Sequence, residues 1–125
     1  MQAFPPRGGI GAMAAAGSRA FGPFGGDGAI SFETVATLAF DHLPPGASRA
    51  ELVAGIGRGL GRVAAHELAH QILPLGDLHA SRDPASYDFG SINRASQFYG
   101  PMHWDLAGPR LRAALGTHRT AASPR

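Results

Sequence analysis

The chain contains neither cysteine nor lysine. The missing thiols exclude a disulfide scaffold, thiolate zinc sites and cysteine nucleophiles. All of the basic residues are arginine, and they are scattered singly rather than gathered into a stripe with interleaved aromatics, which argues against nucleic acid as a partner. The last residues carry Arg110, Arg112, Arg119 and Arg125 without an acid and read as a solvated tail. No apolar run approaches the roughly 20 residues that a membrane-spanning helix needs. Pro5, Pro6 and neighbouring glycines interrupt any apolar segment of signal-peptide type. A cytoplasmic location is expected from the sequence as it stands, and a secreted one if the true start lies upstream. Glutamate is scarce and stops early: Glu33, Glu51 and Glu67, with none beyond.

What is present suits one small domain. The 125 residues are enough for a single core. Glycine and proline cluster in the first half, so residues 1–28 read as a Gly/Pro-rich N-terminal segment, residues 29–116 as the folded body and residues 117–125 as a disordered tail. Ala12–Ala20 is a candidate short helix. In Ala29–Val35 apolar and polar residues alternate among β-branched ones, which predicts a strand that could extend to Phe40. Pro44-Pro45-Gly46 breaks the chain. Ser48 with Glu51 forms a capping box, and a helix should run from there to about Leu73, where Pro74 stops it. Gly55, Gly57, Gly59 and Gly61 weaken that helix unless a neighbouring backbone approaches closely. Beyond it come a loop with Gly76, Asp83-Pro84 and Gly90, a short helix from Asn93 to Tyr99, and a last helix over Pro109–Leu115 with Gly116 just past its end.

The long helix carries His66-Glu67-Leu68-Ala69-His70. Two histidines four residues apart share one helical face and can ligate one metal ion. Glu67 projects about 100° further round, where it can reach a metal-bound water without being a ligand. On a helical projection from Leu52, the residues Leu52, Val53, Ile56, Leu60 and Val63 fill an arc from about 0° to about 100°. His66, Glu67 and His70 continue that stripe at roughly −40°, 60° and 0°, with Glu51, Arg58 and Arg62 off it. Buried polar groups need partners, and a metal would supply one to all three. The pattern therefore implies a zinc ion held by His66 and His70, with Glu67 as general base for hydrolysis.

A third protein ligand is required. No later Glu exists, so the candidates are His79, His103 and the aspartates Asp77, Asp83, Asp88 and Asp105. His79 is favoured because Gly76 lets the chain turn back and the tether from His70 is short. His103, between Met102 and Trp104, is the runner-up. His42 and His118 read as loop and tail residues.

The run HELAHQILPLGDLHASRDPASY, His66 to Tyr87, resembles the metzincin zinc peptidases, in particular their matrixin-like branch. The resemblance implies a small α+β zincin domain: an edge strand that pairs with peptide substrate, a long active-site helix, then a loop and short C-terminal helices. It implies a catalytic Glu67 and the ligands His66, His70 and His79. In that family the third histidine follows the second by six residues, whereas His79 follows His70 by nine and Gly76 stands sixth. The family's methionine-containing turn is matched by Ser86-Tyr87-Asp88. Tyr87 is there a packing residue, a fifth ligand or a hydroxyl that stabilises the oxyanion, packing being the default. A zinc endopeptidase, a non-catalytic or degenerate zinc-binding relative, and a metal-free helical interaction module are the three readings to be distinguished.

Overall fold

The computed structural model describes residues 16–22, 25–73 and 78–122. It shows a small, mostly helical α+β domain. Strands β1 (Ala16–Gly22) and β2 (Gly25–Ile30) form an antiparallel two-stranded sheet in which Ala16 lies opposite Ile30. Helix α1 (Phe32–Asp41) follows, then the long α2 (Arg49–Ile72), the single turn α3 (Ser96–Tyr99) and α4 (Ala107–Ala122). Both strands, α1, α3 and α4 make contact with α2. Among the described residues no helix is long and apolar enough to cross a membrane.

The N-terminal half departs from the sequence expectation. The strand predicted over Ala29–Val35 ends at Ile30, and the residues that follow are helical. Ser31 decides the change. Its hydroxyl accepts the Thr34 N–H at 3.2 Å and so caps α1. From there Val35 and Ala39, one helical turn apart, are fully buried, which is a helical period. The short alternation at Ile30–Glu33 was the junction of two elements. Of the strand expected over Ala29–Val35, only Ala29 and Ile30 lie in a strand, at the end of β2. Ala16–Ala20, expected at the end of a short helix, belongs to β1, while residues 12–15 lie outside the described residues. Strands β1 and β2, which lie largely within residues 1–28, both make contact with α2.

Helix α2 starts as expected, with the Ser48 hydroxyl accepting the Glu51 N–H at 3.1 Å, and ends at Ile72 with Leu73 as its cap. Its buried face, however, is turned from the predicted stripe. Gly55, Gly59, Arg62, Val63, His66 and Ala69 are the buried residues, centred at roughly −50° on the same projection. Val53, inside the predicted stripe, is 61% exposed. The glycines explain the rotation. A Cβ on Gly55 would lie 2.2 Å from the Tyr99 ring, and one on Gly59 would lie 2.6 Å from the Phe98 ring. Two aromatic side chains from the α3 turn, not a neighbouring backbone, use the space that these glycines leave.

Two apolar clusters result. Val35, Ala39, Val63 and Phe98 form one. Ala69, Leu73, Leu78, Ala107 and Leu111 form the other, with Trp104 against it. His66 falls on α2 between Val63 and Ala69, at the junction of the two. Beyond α2, the helix expected from Asn93 begins only at Ser96. The Asn93 N–H is instead bound by the Gln97 side chain at 2.8 Å. The last helix is longer than Pro109–Leu115 at both ends and continues past Gly116 to Ala122, through residues expected to form a disordered tail. Pro109 stands in its first turn, where a missing N–H loses no helical bond.

The glycines of α2 separate into two kinds, and thermal melts can read the difference. Gly57 and Gly61 have open space where a Cβ would be. Gly57→Ala should stabilise the fold by about 0.5–1 kcal/mol through helix propensity. Gly59→Ala forces the Phe98 ring aside and should destabilise by about 1–3 kcal/mol despite the same propensity gain. Equal melting temperatures for the two variants would contradict this packing.

Candidate metal centre

Helix α2 presents His66 and His70 one turn apart, and the loop beyond Leu78 brings His79 to them. The three Nε2 atoms form a triangle: 2.9 Å between His66 and His79, 3.2 Å between His66 and His70, and 3.3 Å between His70 and His79. Tetrahedral zinc with bonds of about 2.0–2.1 Å separates its nitrogens by about 3.3 Å, so the triangle has the size of one face of such a site. Pro74, Gly76 and Asp77 lie outside the described residues. His79, nine residues after His70, nonetheless brings its Nε2 within 3.3 Å of those of His66 and His70.

Hydrogen bonding fixes the tautomer of the His66 ring. Nδ1 of His66 lies 2.7 Å from the Tyr87 carbonyl oxygen. A carbonyl only accepts, so Nδ1 carries the proton, and in the neutral ring Nε2 presents a bare lone pair. Burial keeps that ring neutral. Its pKa is pushed down to about 4, chiefly by desolvation, with further lowering from His70, His79 and the Arg62 guanidinium and an opposing effect from the Tyr87 carbonyl. His70 is also shifted down by desolvation and by His79, against an upward pull from the Glu67 carboxylate. These three side chains can hold a metal ion, since their ring nitrogens converge on one point.

The loop from Leu78 to Ser91 is the second wall of the site, and Asp88 is its hub. This carboxylate is fully buried. It accepts the Ala107 N–H at 2.7 Å, the Asp105 N–H at 3.0 Å and the Ser86 hydroxyl. Desolvation pushes its pKa up, but the hydrogen bonds from Ser86, Ala107 and Asp105 outweigh it and the net shift is downward. By binding the Ala107 N–H, Asp88 also holds the start of α4. Its carbonyl accepts the His79 N–H at 3.0 Å. A backbone bridge joins Ser86 to His103, with Tyr87 N–H on the His103 carbonyl at 2.8 Å. The Tyr87 carbonyl that fixes His66 is thus held from its own amide.

The other candidates are occupied elsewhere. His103 pairs with Asp83, Nε2 to Oδ2 at 3.0 Å. Asp105 accepts the Ser81 hydroxyl at 2.6 Å. Asp88, weighed as a ligand from the sequence, is instead the loop's internal cap. His42 ends α1 and stacks on Phe98. The Tyr87 ring packs on Trp104 with centroids 5.0 Å apart, and it faces a cavity of about 360 Å³ also lined by Arg58, Tyr99 and Met102. Glu67 is half-buried, and its charge acts on His70 and on Arg62.

Arg62 was placed off the apolar face by the sequence projection, yet it is only 4% exposed. It stands four residues before His66 and eight before His70, and that spacing was the available sign that it shares their face. No protein-family model, curated protein or solved structure matches this chain.

The Asp88 hub generates a prediction about acid stability. A carboxylate whose folded pKa lies below its unfolded value stabilises the fold fully above the ordinary carboxylate range and loses that contribution as pH falls through the folded value. Asp88→Ala should destabilise the protein by about 3–5 kcal/mol at pH 7 by leaving buried N–H groups unpaired. The gap between wild type and variant should shrink below about pH 4. Denaturant unfolding at pH 7 and pH 3.5 measures both, and a pH-independent gap would contradict the assignment.

Proposed function

We propose that this chain is a zinc-dependent metallopeptidase that hydrolyses peptide bonds in a peptide or protein substrate, with His66, His70 and His79 as metal ligands and Glu67 as general base. The observation that carries the reading is the convergence of three Nε2 atoms within 3.3 Å of one another, the His66 ring being fixed in the metal-accepting tautomer. The helical His-Glu-x-x-His pattern and the resemblance of His66–Tyr87 to the metzincin peptidases add support. The all-imidazole donor set favours zinc over magnesium or calcium, which prefer oxygen ligands.

Bound at the three nitrogens, zinc would lower the pKa of a coordinated water to about 7 and polarise a substrate carbonyl. Glu67 supplies the base. Its carboxylate takes the proton released as the water oxygen bonds to the scissile carbonyl carbon. It then returns that proton to the amide nitrogen as the carbon–nitrogen bond breaks. The Nδ1 bond of His66 keeps one ligand oriented throughout, and the desolvation that lowers the His66 and His70 pKa values keeps protons from competing for the lone pairs.

A second reading is a zinc-binding protein without peptidase activity. It is favoured by Tyr87, which stands in the sequence where the resemblance would put the family's methionine turn and whose ring packs on Trp104. Purified protein should contain one equivalent of zinc by elemental analysis, lost on dialysis against chelator and restored by zinc. Glu67→Gln should retain the metal and lose at least about 100-fold of the cleavage rate on a peptide library. Wild-type protein with bound zinc and no cleavage of any library would select the second reading; full activity in Glu67→Gln would contradict the assignment of the base.

A further inference from the structure

The buried arginine beside the site has no part in the proposed chemistry, and burial of a guanidinium needs a reason. Desolvation lowers its pKa to about 10, with an opposing pull from Glu67. One nitrogen, Nη2, donates to two carbonyls of the opposite loop, Phe89 at 2.7 Å and Ser91 at 3.0 Å. Gly90 is the residue between them. A Cβ on Gly90 would lie 3.2 Å from Cγ of the His79 ring and 3.4 Å from its Nδ1, so this backbone lies directly against the third histidine. His79 itself has φ 73°, a left-handed conformation that a β-substituted residue adopts only where its surroundings impose it. Its amide is fixed by the Asp88 carbonyl, but its ring has no hydrogen bond from the loop comparable to the Nδ1–Tyr87 bond of His66 among the described contacts.

We infer that Arg62 is a positioning residue for the metal centre: by clamping the carbonyls of Phe89 and Ser91 it seats Gly90 against the His79 ring and holds that ring's Nε2 at the apex defined by His66 and His70. The inference rests on the metal-site reading above. Its physical logic is preorganisation. Two ligands are fixed by the helix, and the third comes from a loop whose strained residue would relax without a backing surface. A Cβ there would press on the ring, which would have to give by a few tenths of an ångström. A cation so close to a dication site is otherwise unfavourable. The Arg62 charge already disfavours a positive charge on His66, so its presence must be offset by the geometry that it enforces.

That opposition of signs makes the test decisive. On electrostatics alone, removing the guanidinium should tighten the binding of a dication; loss of the clamp should weaken it. Zinc affinity is measured by competition with a chromophoric chelator for wild type, Arg62→Met, Gly90→Ala and His79→Ala, and for each of the first two changes combined with His79→Ala. Far-UV circular dichroism follows folding. The expected result is a ~10–100-fold weaker affinity in Arg62→Met and in Gly90→Ala, of the size that supporting residues around a metal give. In the His79→Ala background neither change should weaken binding further, because the seat then has nothing to hold. Cobalt(II) substituted into Arg62→Met should lose part of the intensity of its four-coordinate visible bands. Should Arg62→Met not fold, Gly90→Ala decides alone, since it leaves the clamp intact and displaces only the ring. Unchanged or tighter zinc binding in the single variants, or an equal loss with and without His79, would overturn the inference. Absence of zinc binding by wild-type protein would instead overturn the metal-site reading on which it rests.

Discussion

Everything at the candidate centre depends on one hydrogen bond, from Nδ1 of His66 to the carbonyl of Tyr87. It removes the freedom of the His66 ring to choose its tautomer, leaving a bare lone pair on Nε2. The other two imidazoles bring their own Nε2 atoms to within 2.9–3.3 Å of it. The His66 lone pair faces both of them, and burial makes that ring resist a proton of its own. A cation at the common point satisfies all three at once. The loop that supplies the Tyr87 carbonyl is in turn bound to the segment at His103 and, through Asp88, to the start of α4.

Helix α2 makes this arrangement possible by dividing its buried face. Its first turns are stripped of side chains at Gly55 and Gly59, so Phe98 and Tyr99 close against it and seal one apolar cluster. Its last turns pack Ala69 and Leu73 into the other. Between them the face is polar, with Arg62 and His66 buried side by side. Such a polar waist is unfavourable for a helix that merely packs, because each desolvated group must find a partner. Here the loop 87–91 binds Nη2 of Arg62 and Nδ1 of His66, Nε of Arg62 is buried without a hydrogen bond, and the partner of the His66 Nε2 would be a metal.

Much of this was legible in the sequence, for physical reasons that can be named. Ser48 and Pro74 bracket α2 because capping and proline act locally, and the His66–His70 pair was visible because helical spacing alone puts the two rings together. His79 could be preferred over His103 through the short tether. The rotation of the buried face was not legible, since it depends on rings delivered from Phe98 and Tyr99, about forty residues away. The helical start at Phe32 was hidden by an alternating junction, though Ser31 three residues before Thr34 was a usable cap signal. The extension of α4 to Ala122 went unread because Gly116, which has open space around it, looked like a terminator. Asp88 stood among the candidate ligands because a loop aspartate carries no mark of the amides that it will bind.

The central claim is that the three imidazole nitrogens together hold one metal ion. Zinc K-edge X-ray absorption on protein loaded with one equivalent tests it most directly. The account predicts three imidazole nitrogens at about 2.0–2.1 Å, with the multiple-scattering pattern of histidine, and one oxygen ligand. A shell of five or six oxygens, or a fit with fewer than three imidazoles, would contradict it.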